Sequence, residues 1–166
     1  TEIFKQLASH LIQGVMFHDE MSNYYDFLGL PGYRKCHEYH LMEEFNTYRK
    51  LCKYYVERFN KMIEPNEFSG TNIVIPQNWY KYTRQDVDVA TKRDAVKNGL
   101  EAWVKWENDT RTKYQSMYTE LINIDEIDAA MFVKNLISDV SKEIKEAQLY
   151  HLNKKATDYN MINIIE

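Results

Sequence analysis

Apolar residues recur at spacings of three and four along four separate stretches of this chain, and each stretch is longer than an average helix. The first, about 2–28, carries Phe4, Leu7, Leu11, Val15, His18, Ser22 and Tyr25 on one face. The second, about 33–63, carries His37, Leu41, Glu44, Tyr48, Leu51, Tyr55, Phe59 and Met62. The third, about 87–121, carries Val89, Val96, Leu100, Trp103, Glu107, Thr110, Tyr114, Met117 and Leu121. The fourth, about 125–152, carries Ile127, Met131, Leu136, Val140, Glu143 and Ala147. Only 5 Gly and 3 Pro occur in 166 residues, so little interrupts these elements. The expected fold class is all-α: one domain, 1–166, built as an antiparallel four-helix bundle.

The punctuation supports that layout. Gly29-Leu30-Pro31-Gly32 reads as a helix stop and tight turn, and Asn123-Ile124-Asp125-Glu126 as a turn with N-cap candidates. Helices joined by turns this short lie antiparallel. Pro65 is expected to end the second helix. Residues 65–86 hold Pro65, Gly70, Pro76 and the extended-looking stretch 72–75. A connection of that length reads as a crossover running the length of the bundle.

Four polar residues stand where the stripes call for core hydrophobes: His18, Glu44, Glu107 and Glu143. A charge buried without a partner costs several kcal/mol, so it neutralises, pairs or binds a metal. In antiparallel helices, residues equidistant from the turn sit at equal depth. His18 and Glu44 are symmetric about Pro31, and Glu107 and Glu143 about Asp125. Each pair is therefore expected to be level across its own hairpin. Three carboxylates and an imidazole form a donor set for iron, or alternatively manganese or zinc. His40 and His37 precede Glu44 by one and two turns and extend the set as a ladder.

A net charge of -4 gives no support to nucleic-acid binding. No stretch of about 18 apolar residues is present, so no membrane span is expected. The opening residues, TEIFKQLASHLIQ, lack a cationic leader. Cys36 and Cys52 lie too far apart on one helix to pair internally, and two thiols in a reducing cytoplasm is the expectation. The 13 tyrosines read as core filler with hydroxyls at the rim.

Two long helices, a crossover and two more helices resemble the ferritin-like superfamily. Trp103-Val104-Lys105-Trp106-Glu107 through Asp125, followed by Met131-Phe132-Val133, is similar to the third helix, turn and fourth-helix entry of ferritins. The segment from Met42-Glu43-Glu44 to Lys50-Leu51 looks like the second-helix segment in which a glutamate pair precedes a metal histidine. The resemblance spans most of residues 4–150 and implies an iron site. Carried over residue by residue, the first-helix carboxylate falls on His18, the second-helix glutamate on Glu44 and the third-helix glutamate on Glu107. The family's histidine falls on Thr47, its fourth-helix Gln or Glu on Val140, and a further carboxylate on Glu143. The length is similar to that of the mini-ferritins that protect DNA in starved bacteria, but the spacing of His18 and His37 does not reproduce their ligand pattern.

The resemblance implies iron binding with ferroxidase activity in storage or detoxification, in a homo-oligomer that covers outward aromatics such as Trp79, Tyr80 and Trp106. The alternative is a redox-inactive ferritin-like scaffold working through oligomerisation or a partner, which Thr47 and Val140 favour.

Overall fold

The computed structural model describes residues 2–63 and 80–156, with side chains as far as residue 151. The described residues are all-α: α1 is Glu2–Phe27, α2 Pro31–Phe59, α3 Val89–Asn123 and α4 Ile127–Ala156, and a 3-10 turn, Arg84–Asp86, precedes α3. α1 packs on α2, and α3 on α4. The first pair belongs to one compact unit and the second to another. The four helices and the two pairings agree with the fold class read from the stripes.

Both hairpins close through the same backbone device. At the end of α1, Leu30 N–H donates to Tyr25 O at 2.9 Å and Gly29 N–H to Asp26 O at 3.0 Å, with Gly29 left-handed at φ 72°. At the end of α3, Glu126 N–H donates to Leu121 O at 2.9 Å and Asp125 N–H to Ile122 O at 3.1 Å, with Asp125 at φ 59°. This nested pair of bonds is the Schellman motif, which satisfies the last carbonyls of a helix. Gly29 takes the left-handed conformation without a Cβ penalty, and Asp125 is of the next most tolerant class.

Several boundaries differ from the sequence reading. Pro31 and Gly32 are not turn residues; they form the first turn of α2, where proline's fixed φ suits a helix start and its missing N–H is no loss. α2 ends at Phe59 rather than near Ile63, because Asn60 turns left-handed at φ 54° and closes the helix with a bond to Val56 O. Met62 consequently lies outside the helix and is 84% exposed. The stop expected at Pro65 and the extended stretch 72–75 lie outside the described residues, as do Trp79 and residues 157–166. α4 starts at Ile127, and its first stripe positions, Ile127 and Met131, are exposed while Ala129, Ala130 and Val133 are buried. The apolar face there is rotated by two residues from the expected one.

The first hairpin is antiparallel along its length. Tyr25 stacks on Tyr33 beside the turn, with centroids 4.9 Å apart, and Phe4 meets Tyr55 edge-on at the far end, 5.4 Å away. Phe59 leaves α2 at that far end. Arg84 is back at the turn end, donating to Asp26 O at 2.9 Å. The expected crossover lies largely outside the described residues. A capping box at Thr83 and Asp86 then ends the connection.

Candidate metal centre

In each hairpin the left-handed residue of the turn is the axis about which facing positions pair. Tyr25 and Tyr33, stacked 4.9 Å apart, are each four residues from Gly29, and Phe4 and Tyr54, with ring centroids 6.3 Å apart, are each twenty-five from it. The axis of the first hairpin is therefore Gly29, not Pro31, and this corrects the expected level pairing of His18 with Glu44. His18 is level with His40, and their ring centroids are 5.3 Å apart. Glu44 is level with Gly14, one turn further from the bend. A Cβ added at Gly14 would lie 3.1 Å from the Glu44 carboxyl carbon and 3.2 Å from its Oε2. The absence of a side chain at Gly14 is what lets the Glu44 carboxylate lie against α1. His18 and Glu44 still approach, with a ring nitrogen and a carboxylate oxygen within 4.8 Å.

His18 heads a cluster of buried imidazoles. His18 and His37 are fully buried and His40 is 6% exposed. The Nδ1 atoms of His18 and His37 are 2.9 Å apart, so one carries the proton and the other accepts it. His40 Nδ1 lies 3.3 Å from Glu43 Oε1. Burial, followed by the neighbouring His18 and His40 rings, holds the His37 imidazole well below its ordinary range, so it is neutral at neutral pH. Cys36, one turn before His40, places its Sγ within 4.8 Å of a His40 ring nitrogen. Imidazole, thiol and carboxylate groups able to hold a metal ion are thus present in this hairpin.

The second hairpin holds carboxylates. Its axis is Asp125, as expected, and Glu107 and Glu143 are each eighteen residues from it. Glu107 is fully buried, and its carboxyl is pushed well above the usual range. The causes are burial first, then the Glu143 charge and a hydrogen bond shared with Glu143; the Trp103 indole N–H, donating to Glu107, opposes them. The pair therefore holds a proton between two carboxyl groups when no cation is near. Glu146, one turn further along α4, adds to the repulsion. Trp103 is the largest fully buried side chain, so this carboxyl lies in a low-dielectric setting.

The structure thus brings the predicted residues together as two pairs, His18 with Glu44 and Glu107 with Glu143, each within its own hairpin. Thr47 directs its hydroxyl to Glu43 O at 3.0 Å, back along its own helix, and Val140 is a buried apolar residue. Both positions lack a donor where the resemblance calls for one. The stripes did not point to Gly14 and carried Trp103 only as a core residue. Their signal was present in the turn: Gly14 mirrors Glu44 across Gly29, and Trp103 sits one helical turn before Glu107. Cys36 and Cys52 are half-buried and not joined in a disulfide. No helix among the described residues is long and apolar enough to cross a membrane.

No protein-family model matches the sequence, and no curated protein is similar to it at a significant level. The donor set carries the functional argument.

Proposed function

We propose that this chain binds ferrous iron and oxidises it, as a ferritin-like protein of iron storage or detoxification that works in a homo-oligomer in the cytoplasm. The observation that carries the reading is Glu107, fully buried beside Glu143. Two carboxyls held together in a dry interior repel when ionised, and a divalent cation turns that repulsion into attraction. Glu107 and Glu143 supply oxygen donors from the second hairpin. Within the first hairpin, His18 and Glu44 offer a nitrogen and an oxygen of their own, within 4.8 Å of one another. Oxygen-rich donors with some imidazole suit iron or manganese. Ferrous iron is the substrate, and dioxygen or peroxide takes its electron. The chain's part is to hold the ion out of bulk water and to release the shared carboxyl proton as the ion enters.

The test is ferrous iron added in air to the purified chain, followed by ferric absorbance, beside the Glu44→Ala, Glu107→Ala double variant. The expected result is a rate at least tenfold lower in the variant; equal rates remove the proposal. A second reading rests on Thr47 and Val140, where the resemblance has ligands. In that reading the fold has lost its redox chemistry and acts as an oligomerising or partner-binding scaffold. Wild-type protein that takes up no iron and oxidises none selects it.

A further inference from the structure

We infer that His18, His37 and His40 form a zinc-type metal centre inside the first hairpin, distinct from the carboxylate donors proposed for iron. The inference shares His18 with the iron reading but stands without it.

Geometry carries it. The three rings come from two helices that a fixed turn holds in register: His18 and His40 are each eleven residues from Gly29, and His37 lies one helical turn nearer the bend on the same face as His40. A zinc–imidazole bond is about 2.0–2.1 Å long and the site tetrahedral, so two rings on one ion have centres roughly 5 Å apart and bonded nitrogens roughly 3.3 Å apart. The His18–His37 and His18–His40 centroids are 5.2 and 5.3 Å apart. The His18 and His37 Nδ1 atoms, at 2.9 Å, need only a small opening to take an ion in place of their shared proton. His40 has the orientation expected of a ligand. Its Nδ1 lies 3.3 Å from the Glu43 carboxylate, the place of the outer nitrogen in a carboxylate–histidine–metal arrangement. Carboxylate–histidine pairs of this kind accompany metal-bound imidazoles throughout metalloproteins. Three nitrogens and a fourth position left to water or a thiol form the donor set of an open zinc site, and Cys36 stands one turn from His40.

Chemistry selects the metal. Neutral imidazole is a borderline ligand that suits zinc, cobalt, nickel and copper better than it suits magnesium or calcium. All three rings are buried, and a single shared divalent cation places less charge in that dry interior than three separate protons would.

The metal-stripped full-length chain is titrated with Co2+ as the probe. The expected result is one equivalent bound, with the strong visible bands of a four-coordinate ion, displaced by Zn2+. His37→Ala and His40→Ala each lower cobalt affinity by tenfold or more, and Glu43→Gln lowers it about tenfold. X-ray absorption of the zinc-loaded wild-type chain reports about three imidazole nitrogens per zinc, and it decides the matter alone if a histidine variant loses its helical circular dichroism. A shell of oxygen donors overturns the inference. So does cobalt binding that is unchanged in His37→Ala and lost in Glu107→Gln. Iron oxidation that fails while the cobalt spectrum appears sinks the iron reading and leaves this one standing.

Discussion

The two hairpins share one turn and bury opposite chemistry behind it. Counting outward from Gly29 and Asp125 puts like positions side by side. At the eleventh residue the first hairpin has His18 and His40, and the second has Tyr114 and Leu136. At the fifteenth, Gly14 and Glu44 stand against Thr110 and Val140. At the eighteenth, Leu11 and Thr47 stand against Glu107 and Glu143. One backbone solution thus hosts basic rings in one copy and acidic groups in the other. The turn sets which residues face each other, and the side chains alone decide what that facing pair can bind.

The largest difference is expected where an aromatic and an aliphatic residue hold the same position. Leu7 and Trp103 are each twenty-two residues from their turn, and both are buried, at 1% and 0% exposure. Trp103→Ala is expected to cost about 3–5 kcal/mol, and Leu7→Ala about 2–5 kcal/mol. Trp103→Ala also removes the indole donor to Glu107, so its cost grows with pH while that of Leu7→Ala does not. Urea unfolding at pH 5 and pH 8 separates the two contributions.

The interiors also predict opposite pH dependence in metal-free protein. His37 has its folded value lowered, so the unfolded chain binds more protons below the ordinary imidazole range. Stability from that region is present above about pH 6.5 and is lost as the pH falls. Glu107 has its folded value raised, so the folded chain binds more protons above the ordinary carboxyl range. That contribution is present below about pH 4.3 and is lost as the pH rises. Glu107→Gln is expected to flatten the alkaline side and raise the melting temperature at pH 8, each 1 kcal/mol appearing as roughly 2–4 °C. His37→Gln flattens the acid side only. Thermal melts across pH that show both variants changing the same limb would contradict the contrast between the interiors.

Gly14 offers a finer probe. Gly14→Ala adds helix propensity worth about 0.5–1 kcal/mol. It also pushes on the end of a flexible glutamate side chain, which yields more cheaply than backbone would. The expected outcome is a fold as stable as wild type or slightly more so, with iron oxidation reduced several-fold because the Glu44 carboxylate is displaced. Melting and iron uptake measured on one preparation check both halves.

The smallest effects belong to the turns. Gly29→Ala places a Cβ in a left-handed position and is expected to cost about 1–2 kcal/mol, whereas Asp125→Gly relieves the same strain and gains up to about 1 kcal/mol. Denaturant midpoints of the two variants should move in opposite directions.

The helix count and the short turns were legible because each rests on a local signal: periodicity or a glycine. The stripe on α3 was read correctly from Val96 to Leu121 because one face stays buried throughout. The α2 boundaries were not legible, since Pro31 suits a helix start as well as a turn and Asn60 ends the helix before Pro65 is reached. That ambiguity shifted the pairing axis by two residues, enough to match His18 with Glu44 in place of His40. The Glu107–Glu143 pair survived because the axis of its turn was placed correctly at Asp125. Burial depth, the shared proton and the cradle at Gly14 depend on packing and could not be read from spacing alone.

Because opposite positions are addressed by counting from a single left-handed residue, the two ends of each helix differ in how much change they absorb. Residues gained or lost at the outer ends, near Glu2 or beyond Tyr55, leave every opposing pair in the first hairpin as it was. One residue inserted beside Gly29 reassigns all of them together, and the histidines no longer meet. Natural variation in this chain should therefore collect at the open ends of its hairpins and spare the bends.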